Sequence, residues 1–173
     1  MGDRFAHQGK AQLQAVIKAQ DNGLDVYPTW NKSFREHTIV KSQPQDLRTE
    51  ADAAVTTLGW DKEFYVDADH ISLETVDSFI TGSNFYTLDV ADFVGETPNT
   101  DDVNAFVLAN QKYTGSLQIP GIASAFEVTE ADLRQVANKF LVAIKAAKDI
   151  YNHIVAKKGT EQFITEVSVD ETD

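Results

Sequence analysis

Glu63-Phe64-Tyr65-Val66-Asp67-Ala68-Asp69-His70-Ile71 is the stretch that decides the fold. Aromatic and β-branched residues make it a buried strand. It ends in two acids and an imidazole, and a helix signal follows at Ser72, Glu74, Thr75 and Val76. On a strand, Asp67 and Asp69 leave the same face because side chains alternate with a period of two. The C-terminal end of such a strand is where α/β folds build their sites. Two carboxylates and a histidine there can bind a cation or share a proton.

Outward from this strand, the pattern is β/α alternation. Helices are expected over Gln8–Asn22, Gln45–Leu58, Leu73–Thr81, Asp101–Lys112 and Glu130–Lys157. Strands are expected over Leu24–Trp30, Phe64–Asp69, Phe85–Asp92, Ser116–Ile119 and Gln162–Ser168. Residues 31–42 read as loop or short helix. Asn22-Gly23, Gly59 and Lys158-Gly159 supply helix stops, and Thr129-Glu130-Ala131-Asp132 supplies a start. Helices between strands imply parallel pairing and right-handed crossovers. The expectation is an α/β fold of parallel β/α units: a partial TIM-barrel-like half-barrel or an open parallel sheet. The strands are too few for a closed (β/α)8 barrel. Residues 1–173 read as one α/β domain, part of a longer (β/α) barrel enzyme.

Composition narrows the function. The chain has 173 residues, is 42% hydrophobic and has no cysteine, so it can bury a core but cannot use a thiolate. A net charge of −12 argues against nucleic acid and anionic membranes as partners. No apolar run is long enough to span a bilayer and no signal peptide is visible, so a cytoplasmic protein is expected. Arg4, Lys10, Lys32, Arg35 and Lys41 make the N-terminal third comparatively basic. Gly-x-Gly-x-x-Gly, P-loop and Gly-x-Ser-x-Gly patterns are absent.

Acids follow the strands at Asp67/Asp69, Asp89/Asp92, Glu166 and Asp170. Asp92 and Asp170 read as solvated strand ends or caps. Asp67 and Asp69 must be paired, hydrated or metal-bound if buried. Glu166 interrupts an apolar strand, as a residue facing a cavity does. His70 is either a neutral, backbone-bonded side chain or a ligand. His153, near a helix C-terminus, reads as structural. His7 and His37 carry no signal alone.

Taken together, Gly2-Asp3-Arg4-Phe5 with Gln8-Gly9-Lys10, Arg35-Glu36-His37-Thr38, Val66-Asp67-Ala68-Asp69-His70-Ile71, Leu88-Asp89-Val90-Ala91-Asp92-Phe93 and Phe163-Ile164-Thr165-Glu166-Val167-Ser168 resemble the tagaturonate epimerase family. The resemblance covers the whole chain but only part of the longer family members. It implies an isomerase that interconverts tagaturonate and fructuronate, with a divalent cation (Mn, Zn, Ni or Fe) and a small sugar acid as partner. On it, Asp69 is the candidate base, and His70 and Glu166 are candidate metal ligands or the acid, with Glu166 counted as catalytic and His70 as the metal ligand. Arg4 with Lys10 or Lys41 clamps the substrate carboxylate, and Asp67 and Asp89 touch substrate. Two rivals stand beside this reading. One is a haloacid-dehalogenase-type phosphohydrolase built on Asp-x-Asp. The other is a non-catalytic α/β domain. An exposed sheet edge is expected to favour self-association.

Overall fold

The computed structural model describes residues 1–159 and 161–170. Its contacts divide into two compact units. The first comprises Met1–Asp89 and Asp149–Ser168. It holds a four-stranded sheet of β1 (Thr29–Ser33), β2 (Tyr65–Ile71), β3 (Phe85–Asp89) and β6 (Ile164–Ser168), in spatial order β1-β2-β3-β6. All three pairings are parallel, including the expected neighbours β2 and β3. Helices α1 (Gly9–Asp21), α2 (Phe34–Val40) and α3 (Pro44–Leu58) complete the unit with the end of α5 (Glu130–Lys158).

Register fixes the two faces of the sheet. Asn31 pairs with Asp67 and Ser33 with Asp69. Asp67 pairs with Phe85, Thr87 with Glu166, and Asp89 with Ser168. Paired residues share a face, so this face is polar towards its C-terminal end. The other face carries Trp30 and Val66, which are buried with Leu13, Leu47, Ala51 and Ala54 of α1 and α3. Burying such side chains contributes about 1.5–3 kcal/mol each, which anchors β1 and β2 to the helix layer. Gly9 lets α1 approach α3 closely: a Cβ there would stand 3.0 Å from Glu50 Cγ and 3.3 Å from its backbone oxygen.

Local chemistry sets the boundaries. Pro28 offers no N–H, and its carbonyl accepts from Tyr65 N, so β1 starts at Thr29 rather than at Leu24. The expected loop at 31–42 is instead the end of β1 followed by α2. Ser33 and Glu36 form a reciprocal capping box at that junction. Ser33→Ala is expected to cost about 1 kcal/mol, read from urea unfolding. An unchanged midpoint would show that the cap contributes nothing. The expected helix at Leu73–Thr81 is a run of turns with a short 3-10 segment at Val76–Ser78. Ser72 and Thr75 bond to each other and to neighbouring backbone, which competes with helix formation. β3 ends at Asp89, and Ala91–Phe93 turn as a 3-10 segment.

The second unit comprises Val90–Lys148 and the segment from Val169. Val103 and Val107 of α4 (Thr100–Asn110) are buried with Leu133, Ala137 and Leu141 of α5. Here the sequence reading of a parallel strand at Ser116–Ile119 is corrected. Gly115–Leu117 is β4, paired antiparallel with β5 (Phe126–Val128) in a separate two-stranded ribbon. The connection is too short for the crossover that parallel strands need, so the segment folds back on itself. The acids at Glu171 and Asp173 lie outside the described residues. Among the described residues, no helix is long and apolar enough to cross a membrane.

Candidate active site

The polar face of the sheet gathers the sequence-predicted acids. Asp67 on β2 is buried, and Thr87 on β3 stands beside it. Thr87 Oγ1 lies 3.1 Å from each carboxyl oxygen of Asp67 and 3.0 Å from Glu166 Oε1 on β6. A hydroxyl has one proton to donate. It can therefore satisfy two carboxyl groups only if one of them is protonated and donates to it. Asp67 is that group. Burial pushes its pKa up to about 7 and the charges of Asp69 and Glu166 push the same way; only the ionised form accepts a bond from Thr87, which opposes them. The arrangement is a relay, from the Asp67 carboxylic acid through Thr87 to the Glu166 carboxylate.

Asp69 and His70 sit one step further along β2, where the β2–β3 register shifts between Ala68 and Ile71. The irregularity places His70 at φ 52°, in the left-handed region. This conformation is uncommon away from glycine and marks a constrained position. It turns the imidazole across the strand ends. His70 Nδ1 is 2.8 Å from Asp69 Oδ1, and Nε2 is 3.3 Å from Ser168 Oγ on β6. Ser168 is itself buried. The Asp69 carboxylate thus orients the ring through Nδ1, while Nε2 faces the end of β6. Asp89, half-buried, closes the group as the register partner of Ser168.

The basic residues are distributed differently. Arg4 Nε donates to Glu36 Oε1 at 3.3 Å, and the other Glu36 oxygen accepts from Ser33 N at the end of β1. Arg4 therefore stands at the rim next to the register partner of Asp69. Lys10 is exposed in the first turn of α1. Lys41 is the left-handed C-cap of α2 and lines a cleft with Phe34, His37, Ser42 and Pro44. That cleft lies in the helix layer rather than on the acidic face. His153 accepts its structural reading: Nε2 lies 2.6 Å from Asp77 Oδ1. Asp92 falls in the 3-10 turn of the second unit.

Thr87 and Ser168 are the site residues that sequence reasoning missed. The signal was the period of two. Phe85, Thr87 and Asp89 share one face of β3, just as Ile164, Glu166 and Ser168 share one face of β6. A threonine flanked on its own face by an acid marks a polar face within an apolar strand.

The family model for UxaE, tagaturonate epimerase, matches residues 1–173. The chain belongs to the tagaturonate epimerase family. Two crystal structures of fructuronate-tagaturonate epimerase UxaE from Cohnella laeviribosi are similar in fold. The native one has a TM-score of 0.73 at 20% identity, and a glycerol complex has 0.71 at 19%. Each comparison covers 99% of this chain and 36% of the epimerase, so the chain spans about a third of the length of these relatives. No curated protein matches the chain.

A divalent cation was expected with His70 as ligand. Among the described residues, no group of three or more His, Asp or Glu side chains is placed to hold a metal ion. His70 and Asp69 supply at most two donors, already bonded to each other. The residues present do not make a complete metal site, and no chemical step is assigned to a metal here.

Proposed function

We propose that this chain supplies the acid/base half of a keto-uronate epimerase. The observation that carries the reading is Thr87 held between Asp67 and Glu166, beside the Asp69–His70 pair. Inverting a carbinol carbon needs a proton removed and a proton returned, at the carbon itself or at its hydroxyl in a reversible C–C cleavage. A group with pKa near the working pH serves that exchange best. In this reading Asp69 is the base, its charge held in place by His70. The Asp67–Thr87–Glu166 relay delivers the returning proton, leaving Asp67 ionised as Asp69 becomes protonated. As Asp67 donates to Thr87 and Thr87 donates to Glu166, one proton moves along the line and no charge is created beyond the initial one. Asp67 and Asp89 also present oxygens to substrate hydroxyls. Arg4 offers the guanidinium for the substrate carboxylate, which suits Arg's fork geometry. Lys10 takes second place as a clamp residue, and Lys41, on the cleft in the helix layer, is not assigned to the clamp. The divalent cation of this reading takes His70 as one ligand and needs others from beyond the described residues.

The same proposal makes the sheet one arc of a longer (β/α) barrel in a cytoplasmic enzyme. Ile164 and Val167 are exposed on the outer strand β6. Further strands would add at that edge, and the isolated chain would self-associate through it.

The test is direct. The enzyme containing this chain is incubated with tagaturonate and a divalent metal, and NMR follows its conversion to fructuronate. Approach to one equilibrium mixture from either sugar is expected. A folded enzyme that leaves both sugars unchanged, with manganese, zinc, nickel and iron each tried, would overturn the reading.

A further inference from the structure

The face of the sheet turned away from the acids holds a second cluster, in which β1, α2 and the turn into α3 meet. Lys32 of β1 is fully buried and His37 of α2 is 3% exposed. Both reach Ser42, which follows α2. Lys32 Nζ donates to Ser42 Oγ at 2.7 Å, and His37 Nδ1 lies 2.9 Å from the same oxygen. Ser42 is half-buried and lines an open cleft of about 390 Å³ with Phe34, Lys41, Pro44 and Ser78. We propose that Ser42 is a nucleophile that accepts an acyl group from a small activated ester or acyl phosphate, with His37 as its base.

The geometry meets the requirements for an activated hydroxyl. An ammonium can only donate, so Ser42 Oγ uses a lone pair to accept from Lys32. In the Nε2–H tautomer of His37, Nδ1 is the acceptor that the Ser42 hydroxyl proton reaches. This needs a neutral imidazole, and His37 is neutral. Burial, aided by the Lys32 charge, lowers its pKa to about 4. The Lys32 ammonium stabilises the alkoxide character that develops on Ser42. Among the described residues, Ser42 is the one hydrogen-bond acceptor of that buried cation. The exposed Lys41 and the apolar Phe34 and Pro44 that line the cleft suit a small acyl group carrying a negative leaving group. In the step, the bond from Ser42 Oγ to the acyl carbon forms and the bond from that carbon to the leaving oxygen breaks. The Ser42 proton passes to His37 Nδ1 and then to the leaving oxygen or to water.

Ser78 lines the same cleft, has no histidine bonded to its hydroxyl among the described residues, and serves as an internal reference. The protein is treated with p-nitrophenyl acetate at pH 7.5, and acetyl adducts are mapped by peptide mass spectrometry over time. Ser42 is expected to acetylate about 10²-fold faster than Ser78. In His37→Gln, checked for folding by circular dichroism, that advantage is expected to disappear. Equal labelling of Ser42 and Ser78 in the wild-type chain would overturn the proposal, and this comparison needs no variant to fold. A folded His37→Gln chain that keeps the full Ser42 rate would overturn it too.

Discussion

Asp69→Asn, in an enzyme that carries this chain, is expected to lower keto-uronate interconversion by about 10²–10⁴-fold, the usual effect of removing a positioned acid or base. The amide keeps the size of the carboxylate and an oxygen that can face His70 Nδ1, so the strand and the ring position survive. What is lost is the negative charge and the ability to take a proton. The loss belongs in kcat rather than in KM, because the proton moves in the transition state. Asp89→Asn provides the contrast. Asp89 sits beside Ser168 at the strand end, outside the relay, and its amide still accepts a hydrogen bond from substrate. Its expected effect is about tenfold or less, weighted towards KM. Progress curves for both variants against wild type decide the matter. An Asp69→Asn enzyme that retains a third or more of wild-type kcat removes Asp69 as the base.

The same residues weigh against the phosphohydrolase reading, as does the family to which the chain belongs. A haloacid-dehalogenase-type enzyme attacks phosphorus with the first carboxylate of Asp-x-Asp. Here that residue would be Asp67. It is buried, bonded to Thr87 and held protonated up to about pH 7, so it lacks the charge that a nucleophile needs. Asp69 is the more exposed of the two, and it is engaged with His70.

The parallel sheet and the shared face of its acids were legible because both follow from a two-residue period. Asp67, Asp69, Asp89 and Glu166 could be placed together once the strands were assigned. The relay was not legible, because it depends on register. Thr87 meets Asp67 and Glu166 only when β2, β3 and β6 pair with the offsets observed. The left-handed backbone at His70 also escaped, since nothing in Asp-His-Ile announces a bulge. The sequence error at Ser116–Ile119 has a different cause. A short apolar run shows that a strand exists but not which partner it takes, and the partner Phe126–Val128 is equally short. His37, given no weight as an isolated histidine, gains its chemistry from Lys32 and Ser42, which the turn after α2 brings to it.

Two buried groups on opposite faces of the sheet are expected to tilt the stability of the protein in opposite directions with pH. Asp67 is protonated in the folded chain up to about pH 7 but ionises at its ordinary value of 3.8 when unfolded. Between these values the folded state holds one more proton, so stability is full below about pH 4 and falls as pH rises to 7. His37 titrates at about 4 when folded and at 6.5 when unfolded. There the unfolded state holds the extra proton, so stability is full above 6.5 and falls as pH drops to 4. The two slopes oppose each other across nearly the same window, each about 1.4 kcal/mol per pH unit. Removing either group exposes the other. Relative to wild type, Asp67→Asn should gain stability with rising pH, by about 4 kcal/mol across the window. His37→Gln should lose it with rising pH, by about 3 kcal/mol. Urea unfolding at half-unit steps from pH 4 to 7.5 reads both. The prediction concerns slopes, so a uniform loss from poorer packing shifts each curve without changing its tilt. Parallel curves for the three proteins would mean that neither group is held out of its ordinary range, and the Asp67–Thr87–Glu166 relay would lose its proton.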